Sequence, residues 1–157
     1  MYQLLKKKLD LDQLNILAND IALNSNCGDL LLLKGELGAG KTSFCRFFIN
    51  SMYEKYSLPK PKIIRSPSFP ILINYKIKNF EIFHYDFYRL KNVNELRELN
   101  IFENIQKNIT LIEWPEIILR YKNITNYYLL NFKIINLKLR QIEIFHNNKA
   151  KLQDVYR

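Results

Sequence analysis

The segment Gly35-Glu36-Leu37-Gly38-Ala39-Gly40-Lys41-Thr42 constrains this chain more than any other stretch. It spells G-x-x-x-x-G-K-[ST], a pattern that a random chain of this length meets roughly once in a few hundred. Its surroundings sharpen the signal. Leu30-Leu31-Leu32-Leu33 precedes it as an unbroken apolar run, the pattern of a strand buried on both faces. From about Lys41 onward Phe44, Phe47 and Phe48 recur as the buried stripe of a helix. Three of the chain's four glycines (Gly35, Gly38, Gly40) fall inside the segment, so tight backbone curvature is concentrated there. A strand, a glycine loop and a helix in that order form a phosphate cradle. Backbone amides from Gly35 through Ser43 would face phosphate oxygens, the helix start adding partial positive charge. Lys41 reaches the β- and γ-phosphates and the Thr42 hydroxyl ligates Mg²⁺, which makes ATP and Mg²⁺ the expected ligands.

The rest of the chain reads as one domain, 1–157, without repeats or long linkers. Residues 3–9 suit a first strand. Asp10 with Gln13 makes a capping box, and Leu14, Leu17, Ala18 and Ile21 follow at helical spacing. Ile63-Ile64-Arg65 reads as a short strand, then Ser66-Pro67-Ser68-Phe69-Pro70 as a stiff loop. Strands are expected at 71–77 and 80–85, short helices at 93–99 and 101–105, a buried strand at 109–113 and two strands within 127–146. The predicted fold is α/β: a P-loop NTPase-like domain with a mixed, mostly parallel sheet flanked by helices, extended by antiparallel hairpins.

A P-loop enzyme needs a carboxylate at the end of a neighbouring strand to serve the metal or a water. Asp86 and Glu113 both end apolar strands, and the sequence does not say which lies nearer the water. Glu103 and Glu116 read as surface charges. The Ser66–Phe69 loop is either a γ-phosphate sensor or an ordinary proline turn. His84 reads as a structural histidine rather than a base, and Trp114, taken alone, as a core residue.

The formal net charge of +9 does not define a nucleic-acid face, because the lysines are scattered apart from Lys6-Lys7-Lys8 and Lys60-Pro61-Lys62. Cys27 and Cys45 lack metal-ligand spacing and suit a reducing compartment. No apolar run reaches the ~18–20 residues that cross a bilayer, and the N-terminus has its basic cluster after its apolar pair, the wrong order for a secretory signal. A cytoplasmic location is expected.

Four segments in order resemble one family: the phosphate loop, Ser66-Pro67-Ser68-Phe69, His84-Tyr85-Asp86-Phe87-Tyr88-Arg89-Leu90 and Glu113-Trp114-Pro115-Glu116. The chain resembles TsaE, the bacterial ATPase of tRNA threonylcarbamoyladenosine (t6A) modification, over about residues 10–120. The resemblance implies Mg-ATP binding, slow hydrolysis alone, and action with the TsaB–TsaD heterodimer, which modifies the adenosine next to the anticodon. Contact with tRNA would be indirect, through that complex. By motif position, Lys41 and Thr42 hold phosphate and metal, and Asp86 and Glu113 serve Mg²⁺ or the attacking water. Ser68 supplies the hydroxyl of the Ser-Pro-Thr-Phe segment, and Trp114 and Arg89 lie beside the nucleotide or the partner. Two departures stand out. Ser68 replaces the usual threonine, and Leu14 and Ala18 occupy first-helix positions where the family commonly has threonine and glycine.

Other classes compete. A kinase needs an acceptor site and an arginine-bearing lid, whereas Arg97, Arg120 and Arg140 are isolated. A nucleotide-gated binding module with negligible turnover differs from a slow ATPase only in rate. A GTPase of the N-K-x-D type would need an acid at Lys151, in Asn148-Lys149-Ala150-Lys151.

Overall fold

The computed structural model describes residues 1–121 and 124–148. The Lys149-to-Lys151 part of the guanine-recognition comparison lies outside them. In chain order the elements are β1 (Tyr2–Leu9), α1 (Leu11–Asn24), β2 (Leu30–Gly35), α2 (Lys41–Lys55), β3 (Leu72–Lys76), β4 (Glu81–Asp86), α3 (Asn94–Glu98), α4 (Ile101–Lys107), β5 (Ile109–Glu113), β6 (Tyr127–Ile134) and β7 (Arg140–His146). The strands form one sheet in the order β1-β7-β6-β2-β5-β4-β3. Its centre, β6-β2-β5-β4, is parallel. Antiparallel pairs extend it on both sides: β3 on β4, and the β6–β7 hairpin followed by β1. The expected α/β architecture with hairpin additions is the one observed.

Alternation along the central strands divides the core into two layers. Leu31 and Leu33 of β2, Ile82 of β4 and Ile109 and Leu111 of β5 face one side, packed with Leu14, Ala18 and Ala22 of α1 and Phe44, Phe48 and Met52 of α2. Leu30, Leu32, Phe83, Tyr85 and Ile112 face the other, under Leu96 of α3 and Ile101 of α4. Both faces of β2 are therefore covered, as its four leucines require. The Asp10 capping box is formed: Gln13 N–H donates to Asp10 Oδ1 at 2.9 Å and Asp10 N–H donates to Gln13 Oε1 at 3.1 Å. Leu14 and Ala18, the two departures on the first helix, are fully packed core positions of α1.

One expected strand is absent. Ile63-Ile64-Arg65 is unpaired coil. The Ile64 carbonyl accepts from Arg46 Nε at 3.1 Å instead of from a ladder, and Ile63 is exposed while Ile64 is buried. Short apolar runs carry too little periodicity to tell a strand from a segment pinned by one side chain.

Gly35 closes β2 with φ +155° against β6, where a Cβ would lie 2.5 Å from the Phe132 carbonyl oxygen. Backbone cannot retreat as a side chain does. Gly35→Ala is therefore expected to lower the unfolding free energy by about 1–3 kcal/mol, the usual cost of overpacking, read from the midpoint of a urea titration at constant m.

Candidate active site

The strand-to-helix turn at residues 35–41 puts the start of α2 over the carboxyl ends of the parallel strands, where open α/β sheets bind ligands. Gly40 is the N-cap, with φ +105° and no side-chain cap. The first turn of α2 holds no acidic residue. Helix starts leave amide groups without intrahelical partners, and these suit an anion.

A cleft of about 290 Å³ opens there. Among the sequence-predicted residues, Leu37, Gly38, Gly40, Lys41, Thr42, Ser43, Ser68, Asp86, Glu113 and Trp114 line it. Gly35, Glu36 and Ala39 shape the loop from outside the lining: Ala39 is buried, and its N–H donates to the Glu36 carbonyl at 3.2 Å. Arg89 is exposed and does not line the cleft; its guanidinium carbon lies 5.4 Å from the Phe69 ring centroid. Arg140, isolated in sequence, reaches the loop from the β6–β7 hairpin and donates to the Gly38 carbonyl at 3.3 Å.

Strand register brings the two acids together. Asp86 and Glu113 are paired positions at the ends of β4 and β5, and Glu113 is also level with Leu33 of β2. Both carboxylates are buried. Glu113 Oε2 accepts from Thr42 Oγ1 at 2.9 Å and its Oε1 lies 2.9 Å from His84 Nε2. Asp86 accepts from the Ser66 hydroxyl and, at 2.9 Å, from the Tyr88 backbone N–H. Its strand is tied to the serine loop, because Asp86 N–H donates to the Ile71 carbonyl at 3.0 Å.

Lys41 is buried, and its Nζ donates to the carbonyls of Gly35 (2.7 Å) and Glu36 (2.9 Å). Nζ also sits 4.0 Å from the centroid of the Trp114 ring. Burial holds its pKa below the ordinary lysine value, against the opposing pull of Glu113, Asp86, Glu116 and Cys45. Glu116, read as a surface charge, is half-buried and near enough to contribute. Trp114 is a cleft residue and not a core one: it adopts φ +57°, a left-handed conformation that costs of order 1–3 kcal/mol for such a side chain. That turn at the end of β5 carries the indole over Lys41.

The structure adds Ser66, Tyr88 and His84 to the residues that the sequence assigns to the site. Ser66 bonds the acid Asp86, and both Ser66 and Ser68 line the cleft. Tyr88 lines the cleft with its ring 4.9 Å from Trp114. His84 touches Glu113. The available signal for His84 was the strand period: two residues before Asp86, it faces the same side of β4.

Cys45, His84 and Glu113 each place a donor atom within 4.8 Å of the others. Burial, reinforced by Glu113 and Asp86, pushes the Cys45 thiol well up. A thiol held neutral is a poor nucleophile. With Cys27 exposed, a thiol reagent at pH 8 is expected to modify one cysteine in the native chain and both in denaturant.

The layered sheet and the glycine loop at the head of α2 define a P-loop NTPase-like α/β domain. The family model described as "Threonylcarbamoyl adenosine biosynthesis protein TsaE" matches residues 9–144. The chain belongs to the TsaE family. The tRNA threonylcarbamoyladenosine biosynthesis protein TsaE of Rickettsia conorii is 40% identical over 140 residues, 88% of this chain and 75% of that protein. The protein of the same name from Bacillus subtilis is 30% identical over 118 residues, 75% of this chain and 70% of its own length. Among solved structures, YdiB of Bacillus subtilis has the same fold, with a TM-score of 0.69 at 22% identity, covering 96% of this chain and 90% of that one. Among the described residues no helix is long and apolar enough to cross a membrane.

Proposed function

We propose that this chain binds Mg-ATP and hydrolyses it slowly as a component of the t6A modification machinery, acting with TsaB and TsaD. One observation carries the chemistry: the phosphate-loop hydroxyl Thr42 Oγ1 is bonded to the buried strand-end carboxylate Glu113, with Lys41 in the same cleft. Family membership carries the biological role.

The donor set fits the ligands. Thr42, Glu113 and Asp86 offer hard oxygen atoms, which suit Mg²⁺. The uncapped helix start and the Lys41 ammonium suit phosphate. When bound, Mg-ATP supplies the phosphoanhydride bond to be broken and a cation to spread its charge. Lys41 would exchange its two carbonyl partners for phosphate oxygens. Thr42 and the carboxylates of Glu113 and Asp86 would hold the metal and a water. The Trp114 ring covers Lys41 and excludes bulk water from that side. TsaB and TsaD are the partners, tRNA is engaged through them, and the cytoplasm is the setting.

The role is tested by reconstituted t6A formation with tRNA, TsaB, TsaD and a threonylcarbamoyl donor. Repeated rounds of modification are expected only with this chain and ATP present. Equal yields with and without the chain would remove it from the cycle.

A further inference from the structure

His84 is wholly buried, yet only one of its nitrogens is satisfied. Nε2 lies 2.9 Å from Glu113 Oε1, while Nδ1 has no hydrogen-bond partner among the described residues. A carboxylate only accepts, so Nε2 carries the hydrogen and donates it. An orphaned buried acceptor is unfavourable, so packing alone gives little reason for a histidine here. What His84 does achieve is specific: it takes one oxygen of Glu113 and leaves the other directed at Thr42 Oγ1, 2.9 Å away. The three side chains sit on three elements, β4, β5 and α2, and form one chain of contacts from the sheet interior to the phosphate loop.

We propose that His84 is a positioning residue for the metal site: it locks the Glu113 carboxylate in the orientation that serves Thr42 and Mg²⁺. This rests on the Mg-ATP reading above. Partners that hold a metal-binding group from behind typically carry about 10–100-fold in metal affinity or activity.

The test compares His84→Gln, whose amide still donates toward Glu113 Oε1, with His84→Leu, which fills the space and donates nothing. Trp114 is the single tryptophan and lies in the cleft, so its fluorescence reports nucleotide binding directly. ATP is titrated in EDTA and then over a range of Mg²⁺ concentrations, with thermal unfolding recorded for each variant. The expected result is unchanged metal-free binding in both variants, with the Mg²⁺ dependence shifted by about 10–100-fold in His84→Leu and largely retained in His84→Gln. Turnover should follow the same order through kcat at constant KM. Two results overturn the proposal: His84→Leu matching the parent in Mg²⁺ dependence, or both variants losing metal-free binding alike, as a purely structural residue would. If His84→Leu does not fold, His84→Asn, too short to reach Glu113, takes its place with the same expectations. A parent chain that binds ATP but gains nothing from Mg²⁺ would overturn the His84 role while leaving the phosphate loop intact. A parent chain that binds no nucleotide would remove the Mg-ATP reading itself, and this role with it.

Discussion

Lys41→Ala is expected to abolish ATP binding at concentrations that saturate the parent chain. The ammonium is buried at the floor of the cleft and already makes two hydrogen bonds, to the carbonyls of Gly35 and Glu36. On phosphate both donor and acceptor would be charged, each bond being of about 1.5–3 kcal/mol. Losing two of them weakens binding by roughly 3 kcal/mol or more, about a hundredfold or greater in Kd. Burial lowers its pKa, so the folded state favours the charged form less than the unfolded chain does. The sign follows directly. A lysine whose folded pKa lies below its unfolded value opposes folding at low pH, and that opposition fades as pH rises through the folded value. The parent's stability should therefore gain as pH rises into the alkaline range, a gain that Lys41→Ala should lack. Trp114 fluorescence against ATP, beside a urea titration, checks both halves. Binding retained within the parent's range would remove Lys41 from the phosphate site.

Glu113→Gln is expected to keep ATP binding and to lose turnover by about 10²–10⁴-fold, the usual contribution of a positioned acid–base group. Glutamine keeps the shape and one acceptor oxygen, so the contact with Thr42 or with His84 can persist, but the charge that serves the metal or the water is gone. Asp86→Asn should have the same character. Asp86 is held by the Ser66 hydroxyl and the Tyr88 N–H, so its orientation is fixed from the serine loop, whereas Glu113 is fixed from the phosphate loop and His84. Single-turnover hydrolysis with saturating Mg-ATP separates the two. The larger rate loss identifies the carboxylate nearer the water. Loss of metal-free affinity without a rate defect would contradict the assignment.

The sequence was legible where local patterns decide structure. The strand Leu30–Gly35, the phosphate loop and α2 follow from an apolar run, glycines and helical spacing, all within one short stretch. The Asp10 and Gln13 capping box fixed the start of α1. Alternation identified β6 and β7, and the acids at the ends of β4 and β5 were found as a pair. What could not be read depended on nonlocal pairing. The contact between His84 and Glu113 exists because β4 runs beside β5 in one particular register, which a single chain does not display. Trp114, taken alone, reads as core because a sequence does not display the left-handed backbone conformation that, with Pro115 next, turns it out of the strand and over Lys41; only the family motif placed it beside the nucleotide. At Ile63-Ile64-Arg65, the Arg46 side chain won the carbonyl that a ladder would have used.

ATP hydrolysis by the purified chain, alone and then with a TsaB–TsaD pair from the same source, tests the central claim most directly. The expected result is slow basal turnover, absent in Lys41→Ala, that the pair raises severalfold and that sugars or nucleosides leave unchanged. Hydrolysis no greater than that of Lys41→Ala, with the pair or without it, would contradict the account.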